Sequence, residues 1–362
     1  MAWEASCVCL PNPTFGTARR GCFRAGGREP SCTLRRAAAL AAAEKLLDNI
    51  CHTLVGAALA EAGLKRSTPL ATATLLIGAN LPDVDGLSYV FARGVDALAL
   101  RRGWTHGVLA MAVLPAALAG GMAAWDRLVR RRRRPGLERA RWPALWLLAF
   151  VAVLSHPLLD FLNTYGVRFL MPFSGRWFYG DALFIVDPWL WLALAAGIAG
   201  SRWRARRGAA NAGRPAGVAL ALSATYILAM LAAGLAGRGI AAREARAAGL
   251  AFERLMVGPV PWSPATRTVV FETADGYRFG RLRLWPRPAL ALSPHRWEKG
   301  AASAGAREAA ATREGREFLS WARFPAFSTE VSAGKTLVLL RDARYPGRGG
   351  SWAQISVALS SP

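Results

Sequence analysis

The sequence predicts a mainly α protein: a polytopic helical membrane bundle of four clear spans plus two shorter N-terminal helices, followed by a small α+β C-terminal domain. Hydrophobic residues make up 53% of the 362-residue chain. They collect in windows near membrane length, roughly 17 to 25 residues. Beyond Ala236 these windows give way to short alternating runs separated by turn residues.

The four spans are Trp104–Trp125, Trp142–Leu162, Ala182–Gly200 and Gly217–Ala236. Two shorter apolar stretches, Asn49–Leu64 and Pro69–Leu81, come before them; about 10 to 14 apolar residues do not by themselves mark a span. The net charge of +23 raises the question of nucleic acid, and its distribution argues against that partner. Loop 126–141, "DRLVRRRRRPGLERAR", holds eight arginines, and loop 201–214, "SRWRARRGAANAGR", holds five. Both adjoin apolar spans, where an excess of Lys and Arg marks the cytoplasmic side. The arginines therefore read as a topology signal, with membrane lipids as the expected partner.

Four of the five cysteines, Cys7, Cys9, Cys22 and Cys32, lie in the first 32 residues. That segment has neither helical nor strand periodicity and no continuous apolar core of a secretory signal. Residues 1–46 are expected to be disordered or an over-extended N-terminus, with translation beginning near Leu47.

With both arginine loops inside, the chain can be threaded, and the unusual polar residues fall at one level on the outer side. His52 opens the first short helix, and "GANLPDVDG" ends the second with Asn80, Asp83 and Asp85. "RRGWTHG" puts His106 at the start of the next span, "SHPLLD" puts His156 and Asp160 at the end of the one after, and "YGDALFIVDPW" supplies Asp181 and Asp187. Ionisable groups in membrane segments are costly and mark function. His156 and Asp160 are four apart and share a helical face. The spacing of Asp83 and Asp85 suits a turn after Pro82 in which both carboxylates converge on one ion. A cation would relieve the repulsion among these carboxylates. Mixed imidazole and carboxylate ligands suit Zn²⁺ first, with Mn²⁺ or Fe²⁺ as alternatives, over Ca²⁺.

Each residue also has a plainer reading. His52 can be a cap, His106 a member of an aromatic interfacial belt, and Asp83 and Asp85 turn formers. Asp187 before Pro188 resembles an ordinary turn, Asn163 and Thr164 a helix end, and His295 an exposed loop residue. The metal reading rests on the set: His52, Asp83, Asp85, His106, His156 and Asp160.

That ordered set resembles a known family. "LDNICHTLVGAALAEAGL", "LIGANLPDVDGL", "RRGWTHGVLA", "SHPLLDFLNTYG" and "RWFYGDALFIVDPWLW" together are similar to the YdjM-type inner-membrane metal-dependent hydrolases, also labelled LexA-binding and membrane-associated. The resemblance covers about residues 47–236 and is expected to extend into the tail. It implies a multi-pass protein of the bacterial inner membrane with a His/Asp metal centre on the same six positions. Relatives often begin almost at "DN-x-x-H". Many carry a His before "RG-x-TH" where this chain has Arg101 followed by Arg102. "SHPLLD" also contains the His-x-x-x-Asp pair of lipid-phosphate phosphatases, but the arginine and the Ser-Gly-His motif that those enzymes need are missing, so that mechanism is rejected.

In residues 237–362, "AAREARAAGLAFERL" reads as a connecting helix. "RTVVFETADGYRFGRLRLWP" reads as a hairpin around Asp275-Gly276. "KTLVLLRDARY" and "SWAQISVALS" read as strands, and "SAGAREAAATREGREFLSWARFP" as a helix with a turn at Pro325. This unit is expected to be extracytoplasmic, as is the site.

The function expected is a membrane-embedded metal-dependent hydrolase that uses metal-activated water on an ester or phosphoester, with a lipid as the candidate substrate, at the outer edge of the membrane. Asp83 or Asp181 is the expected proton acceptor, and Arg101, Arg102 or Arg176 the expected contact for a phosphate on an amphiphilic substrate. The alternative is a non-catalytic metal-binding membrane protein: a scaffold, an ion-handling protein or a regulatory partner. The apolar inner halves of the spans favour a one-sided site over an ion route.

Overall fold

The computed structural model describes residues 49–88, 95–332, 335–346 and 353–359. Segment 1–46, with its four cysteines, lies outside them.

Helix α1 covers residues 49–61, and α2 covers Ala71–Asn80, followed by a 3₁₀ turn, Leu81–Leu87. A short helix α3, Val95–Leu100, leads to α4, Val108–Trp125. This helix runs on through the first arginines to Arg133. Buried Asp126 accepts from Arg130 Nε at 2.7 Å and from the Ala140 backbone N at 3.0 Å, tying the end of that helix to the return of the chain. Helix α5 is Trp142–Phe161, α6 is Pro188–Arg206, and α7 runs unbroken over Arg214–Ala247. Among the described residues, three helices are long and apolar enough to cross a membrane: Val108–Arg133, Trp142–Phe161 and Arg214–Ala247.

The stretch expected as the span Ala182–Gly200 is a helix of the same length displaced by six residues, Pro188–Arg206. It starts at Pro188, where Asp187 accepts from the backbone N of Trp189 and Leu190. A proline at the first position cannot extend the helix backward through a donor it lacks. Its C-terminal turns carry Arg202, Arg204 and Arg206.

α2 and α4 pack on α5, and α6 packs on α7. Small residues permit close approach: a Cβ on Gly78 would meet the Ala152 Cβ at 2.9 Å. The antiparallel arrangement gives the bundle two chemically distinct ends. At one, Glu61 pairs with Arg202 at 3.1 Å and also with Lys65, while Arg141 N donates to Thr68 Oγ1 at 2.8 Å. At the other lie His52, Asp83, His106, His156 and Asp160.

The expected connecting helix over 241–255 is the last part of α7, which ends before Gly249 (φ +75°). Gly249 adopts the left-handed conformation that closes helices, with Leu250 N donating to Ala245 O at 2.9 Å. The residues after it form β1, Arg254–Val260, in an antiparallel sheet ordered β1-β2-β3-β4 with β2 Ser263–Glu272, β3 Gly276–Arg283 and β4 Ala289–Glu298. The hairpin around Asp275-Gly276 is the β2–β3 turn, with Glu272 facing Tyr277. His295 stands in β4, an exposed edge strand, and not in a loop. Pro294 hid this strand, yet an edge strand can accept a residue without a donor.

Two helices, α8 (Ala304–Ala311) and α9 (Arg313–Trp321), then precede a second antiparallel sheet, β5-β6-β7, formed by Pro325–Ser332, Lys335–Asp342 and Gln354–Leu359. The break between the helices is Thr312, in extended conformation, whose side chain caps α9 through Gly315 N. Pro325 begins a strand where the sequence suggested a turn; the first strand position needs no ladder donor.

The second half of α7 buries Ala241 and Ala245 against Val257, Val269, Phe271 and Leu282 of the first sheet. A further core joins Phe318 and Trp321 of α9 to Val338, Leu340 and Val357, and reaches Val95, Leu98 and Trp177 of the helical part. Asp342 anchors this joint. Fully buried, it accepts from Arg323 N at 2.6 Å, Arg344 N at 2.8 Å and Arg344 Nε at 3.0 Å. Removing one partner of a buried ion pair strands the other charge and costs about 3–5 kcal/mol. Asp342→Ala is therefore expected to lower the denaturation midpoint of the full chain. An unchanged midpoint would show that Arg344 finds other compensation.

Candidate metal centre

Asp160 lies at the centre of the polar end. One i,i+4 step along α5 sets His156 and Asp160 on the same face, with His156 Nε2 3.6 Å from Asp160 Oδ2. From α1, His52 stacks on His156 with ring centroids 3.7 Å apart and planes 16° from parallel. Its Nε2 is 3.5 Å from Asp160 Oδ1. His106, just before α4, points Nε2 at Asp160 Oδ2 from 3.1 Å. Arg102 completes the ring, with Nη2 2.9 Å from Asp160 Oδ1. The three histidines and Asp160 are at most 1% exposed.

The ring tautomers follow from their partners. His156 Nδ1 lies 2.7 Å from the Ala79 carbonyl, which can only accept, so Nδ1 carries the hydrogen and Nε2 presents a lone pair to the cluster. His106 Nδ1 is 2.9 Å from Thr105 Oγ1, whose hydroxyl donates to Asp85 at 3.1 Å. That chain leaves His106 Nε2 as a lone pair facing a carboxylate oxygen. Among buried atoms without a hydrogen-bond partner are His106 Nε2, His156 Nε2 and Asp160 Oδ2. Buried acceptors aimed at one another need a cation between them.

Two groups of ligand atoms meet this need, each with all its atoms within 4.8 Å of one another: His52, His156 and Asp160, and Asp83, His106 and His156. They share His156. The donor set of three imidazoles and two carboxylates fits a divalent transition metal. Burial holds His106 below its ordinary imidazole value, against the pull of Asp160 and Asp85, and so keeps it in the neutral form that ligates. Burial alone would raise Asp83, but a hydrogen bond and positive charge from His156, protonated at Nε2 when no cation is bound, and the charge of Arg101 outweigh it and keep its carboxylate ionised.

Asp85 has a different place from the one its spacing suggested. In a 3₁₀ turn of three residues per turn, positions two apart point to different sides. Asp83 Oδ1 accordingly faces His156 Nε2 at 3.7 Å. Asp85 instead accepts from the Arg102 backbone N at 2.7 Å and from Thr105, pairs with Arg101, and lies 3.4 Å from His106 Nδ1. It belongs to neither ligand group. It orients a histidine from behind, as carboxylates do around metal sites.

Arg101 and Arg102 are buried and committed to carboxylates: Arg101 Nη1 is 3.1 Å from Asp83 Oδ1. They neutralise the acidic cluster and do not stand open to a phosphate. Arg176 is exposed and stacks on Phe178 at 5.3 Å. Asp181 serves the joint with the C-terminal domain, receiving Arg323 Nη1 at 2.8 Å. Asp187 caps α6 and accepts from Tyr226 OH at 3.0 Å.

Two residues have roles that the sequence reading did not assign. Asn163 Oδ1 receives Arg102 Nη1 at 3.1 Å and Tyr165 N at 2.9 Å, holding the guanidinium against Asp160. Its i+3 relation to Asp160 was the available signal. Arg168 donates to the carbonyls of Ala99 and Arg101 at 2.5 and 2.9 Å, fastening the turn in which Arg102 takes the left-handed φ of +48°.

A family model described as YdjM inner membrane protein matches residues 47–237. The chain belongs to this family. It is 35% identical over 106 residues to the inner membrane protein YbcI of Escherichia coli (strain K12), which covers 29% of this chain and 54% of that protein. It is also 29% identical over 126 residues to the uncharacterized protein YfhP of Bacillus subtilis (strain 168), which covers 34% of each chain. The matched parts thus amount to about half and a third of these relatives' lengths. No solved structure matches the chain significantly. Family membership and the apolar helices make this an inner membrane protein.

The separation of ligands from their supports can be measured. In a Zn²⁺ titration, Asp85→Ala is expected to weaken binding by about 10–100-fold while keeping the stoichiometry at high metal. His156→Ala, which removes a donor common to both groups, is expected to abolish stoichiometric binding. Equal loss in the two variants would make Asp85 a ligand.

Proposed function

We propose, from family membership and the polar cluster together, that the protein is a membrane-embedded metal-dependent hydrolase acting on an ester or phosphoester of an amphiphilic substrate. The observation that carries the reading is the meeting of two His/Asp ligand groups at His156. His52, Asp83, His106, His156 and Asp160 would hold a divalent ion, Zn²⁺ before Mn²⁺ or Fe²⁺. When bound, such an ion supplies Lewis acidity toward an ester or phosphoryl oxygen.

The protein's own groups have separate tasks. His156 is held by the Ala79 carbonyl and His106 by Thr105 and Asp85, so neither ring can turn without losing a hydrogen bond. Arg101 and Arg102 offset the acidic charge. Asp83 is the partly exposed member of the two groups; substrate enters on its side, and the Asp83 oxygen that does not hold the ion would be the base that accepts a proton there. Asp181, paired with Arg323, has no part in this step.

The arginine-rich turns at 126–141 and 201–214 lie at the other end of the helices, which supports a cytoplasmic position for them and an extracytoplasmic one for the site and the C-terminal domain. The fourth apolar stretch would then complete the multi-pass topology. The near-complete burial of His52, His106, His156 and Asp160 favours one second reading, a structural ion that stabilises the bundle without catalysis.

Elemental mass spectrometry of the purified full chain, with His156→Ala/Asp160→Ala beside wild type, tests both readings. The expected result is stoichiometric metal lost in the variant, together with metal-dependent hydrolysis of lipid esters or phosphoesters that Asp83→Asn lowers at least about 100-fold. Metal without hydrolysis leaves the structural ion. Metal-free wild type after supplementation sinks both.

A further inference from the structure

Arg238, Arg254 and Arg323 come from three distant parts of the chain: the second half of α7, the start of β1, and the link between α9 and β5. They line one cavity of about 420 Å³, together with Leu255 and Phe324. That volume lies within the range of about 300–1,000 Å³ common for small-ligand sites. Phe324 holds two of the guanidiniums in place, with Arg254 5.2 Å and Arg323 5.5 Å from its ring centroid. Arg254 also donates to the Arg323 carbonyl at 3.2 Å.

Positive charge exceeds negative here. Asp181 Oδ2 is shared, lying 2.8 Å from Arg323 Nη1 but 3.8 Å from Arg238 Nη2. Glu272 is shared as well, between Arg254 at 2.5 Å and Lys299 at 3.1 Å. Three guanidiniums thus divide two carboxylates, one of which also serves a lysine. Arg238 and Arg254 keep 43% and 58% of their side-chain surface exposed. Like charges gathered beside an aromatic ring, with two of the side chains partly open to solvent, form a receptor for a planar or tetrahedral oxyanion.

The position favours a phosphate at a membrane surface. Arg238 follows the apolar run of α7 by two residues. Leu235, 71% exposed, lies three residues before it on the same side of the helix. Trp262, 70% exposed at the β1–β2 turn, and Trp189 at the start of α6 are joined by the indole N–H of Trp189 and the carbonyl of Trp262 at 3.2 Å. Exposed tryptophans mark the headgroup level of a bilayer.

We propose that Arg238, Arg254 and Arg323 form a phosphate-binding site at the junction of α7 with the C-terminal domain, separate from the His/Asp cluster. Its ligand is a phosphate group carried either by an anionic phospholipid or by a soluble phosphate.

Binding is measured on the full chain in nanodiscs of phosphatidylcholine, titrated with a short-chain phosphatidylglycerol in one arm and inorganic phosphate in the other. Arg238→Gln/Arg254→Gln is the main variant, because both side chains are largely exposed and their loss leaves Arg323 on Asp181. Arg281→Gln, an exposed arginine on β3 away from the cavity, controls for general charge. The double variant is expected to weaken binding roughly tenfold or more, the loss of one or two charge-assisted hydrogen bonds, with the control unchanged. Binding of phosphatidylglycerol alone assigns a lipid headgroup; binding of both assigns the phosphate itself. No binding in either arm, or equal weakening by Arg281→Gln, would overturn the site.

Discussion

A buried carboxylate has to be compensated, and the polar end of this protein is organised around one. Asp160 sits at 1% exposure near the end of an apolar helix, where an unpaired charge would cost several kcal/mol. Arg102, from the turn before His106, answers part of that requirement with a fixed charge, while His52 from α1, His106 from the entry to α4 and His156 from its own helix gather ring nitrogens around the same carboxylate.

The constraint spreads outward through supports. Arg102 reaches Asp160 from a left-handed backbone conformation, which a β-carbon disfavours. Arg168 bonds the adjoining carbonyls, Asp85 takes the Arg102 N–H, and Asn163 takes the guanidinium. The segment just after Asn163 is in turn gripped by the C-terminal domain. Arg344 Nη1 donates to the Thr164 carbonyl at 2.7 Å, and the Trp321 indole donates to the Tyr165 carbonyl at 3.1 Å. The family match ends at residue 237, so this grip comes from a part of the chain beyond it. The sheet domain and the arginine that faces Asp160 therefore depend on one loop, residues 163–165.

The arginines show why composition alone misleads. A net charge of +23 suggests a uniformly basic surface, but the molecule uses arginine in three ways. Runs at one end of the bundle stay exposed. Arg101, Arg102, Arg168, Arg267 and Arg344 are buried and hold carboxylates or carbonyls. Arg238, Arg254 and Arg323 meet in a half-open cavity. Only an extended, always-charged fork serves all three.

What the sequence by itself determined is whatever depends on local periodicity. Apolar runs marked Trp142–Phe161 and most of α7, the i,i+4 spacing put His156 beside Asp160, and Asp275-Gly276 marked a hairpin. Each is set within a few residues, so a linear string carries it. Tertiary structure decided the rest, because the deciding partners are distant. Asp83 and Asp85 look equivalent in sequence, yet the 3₁₀ turn sends one to His156 and the other behind His106. Asp181 reads as one more outer carboxylate until Arg323, 142 residues later, claims it. Arg102 reads as a free cation until Asp160 and Asn163 enclose it. Helix α6 lost its expected first turn to Pro188, and β4 was hidden by Pro294 until its place at a sheet edge made that proline harmless. A pairing between groups far apart in the chain has no period, and only the folded arrangement can show which of several like residues it selects.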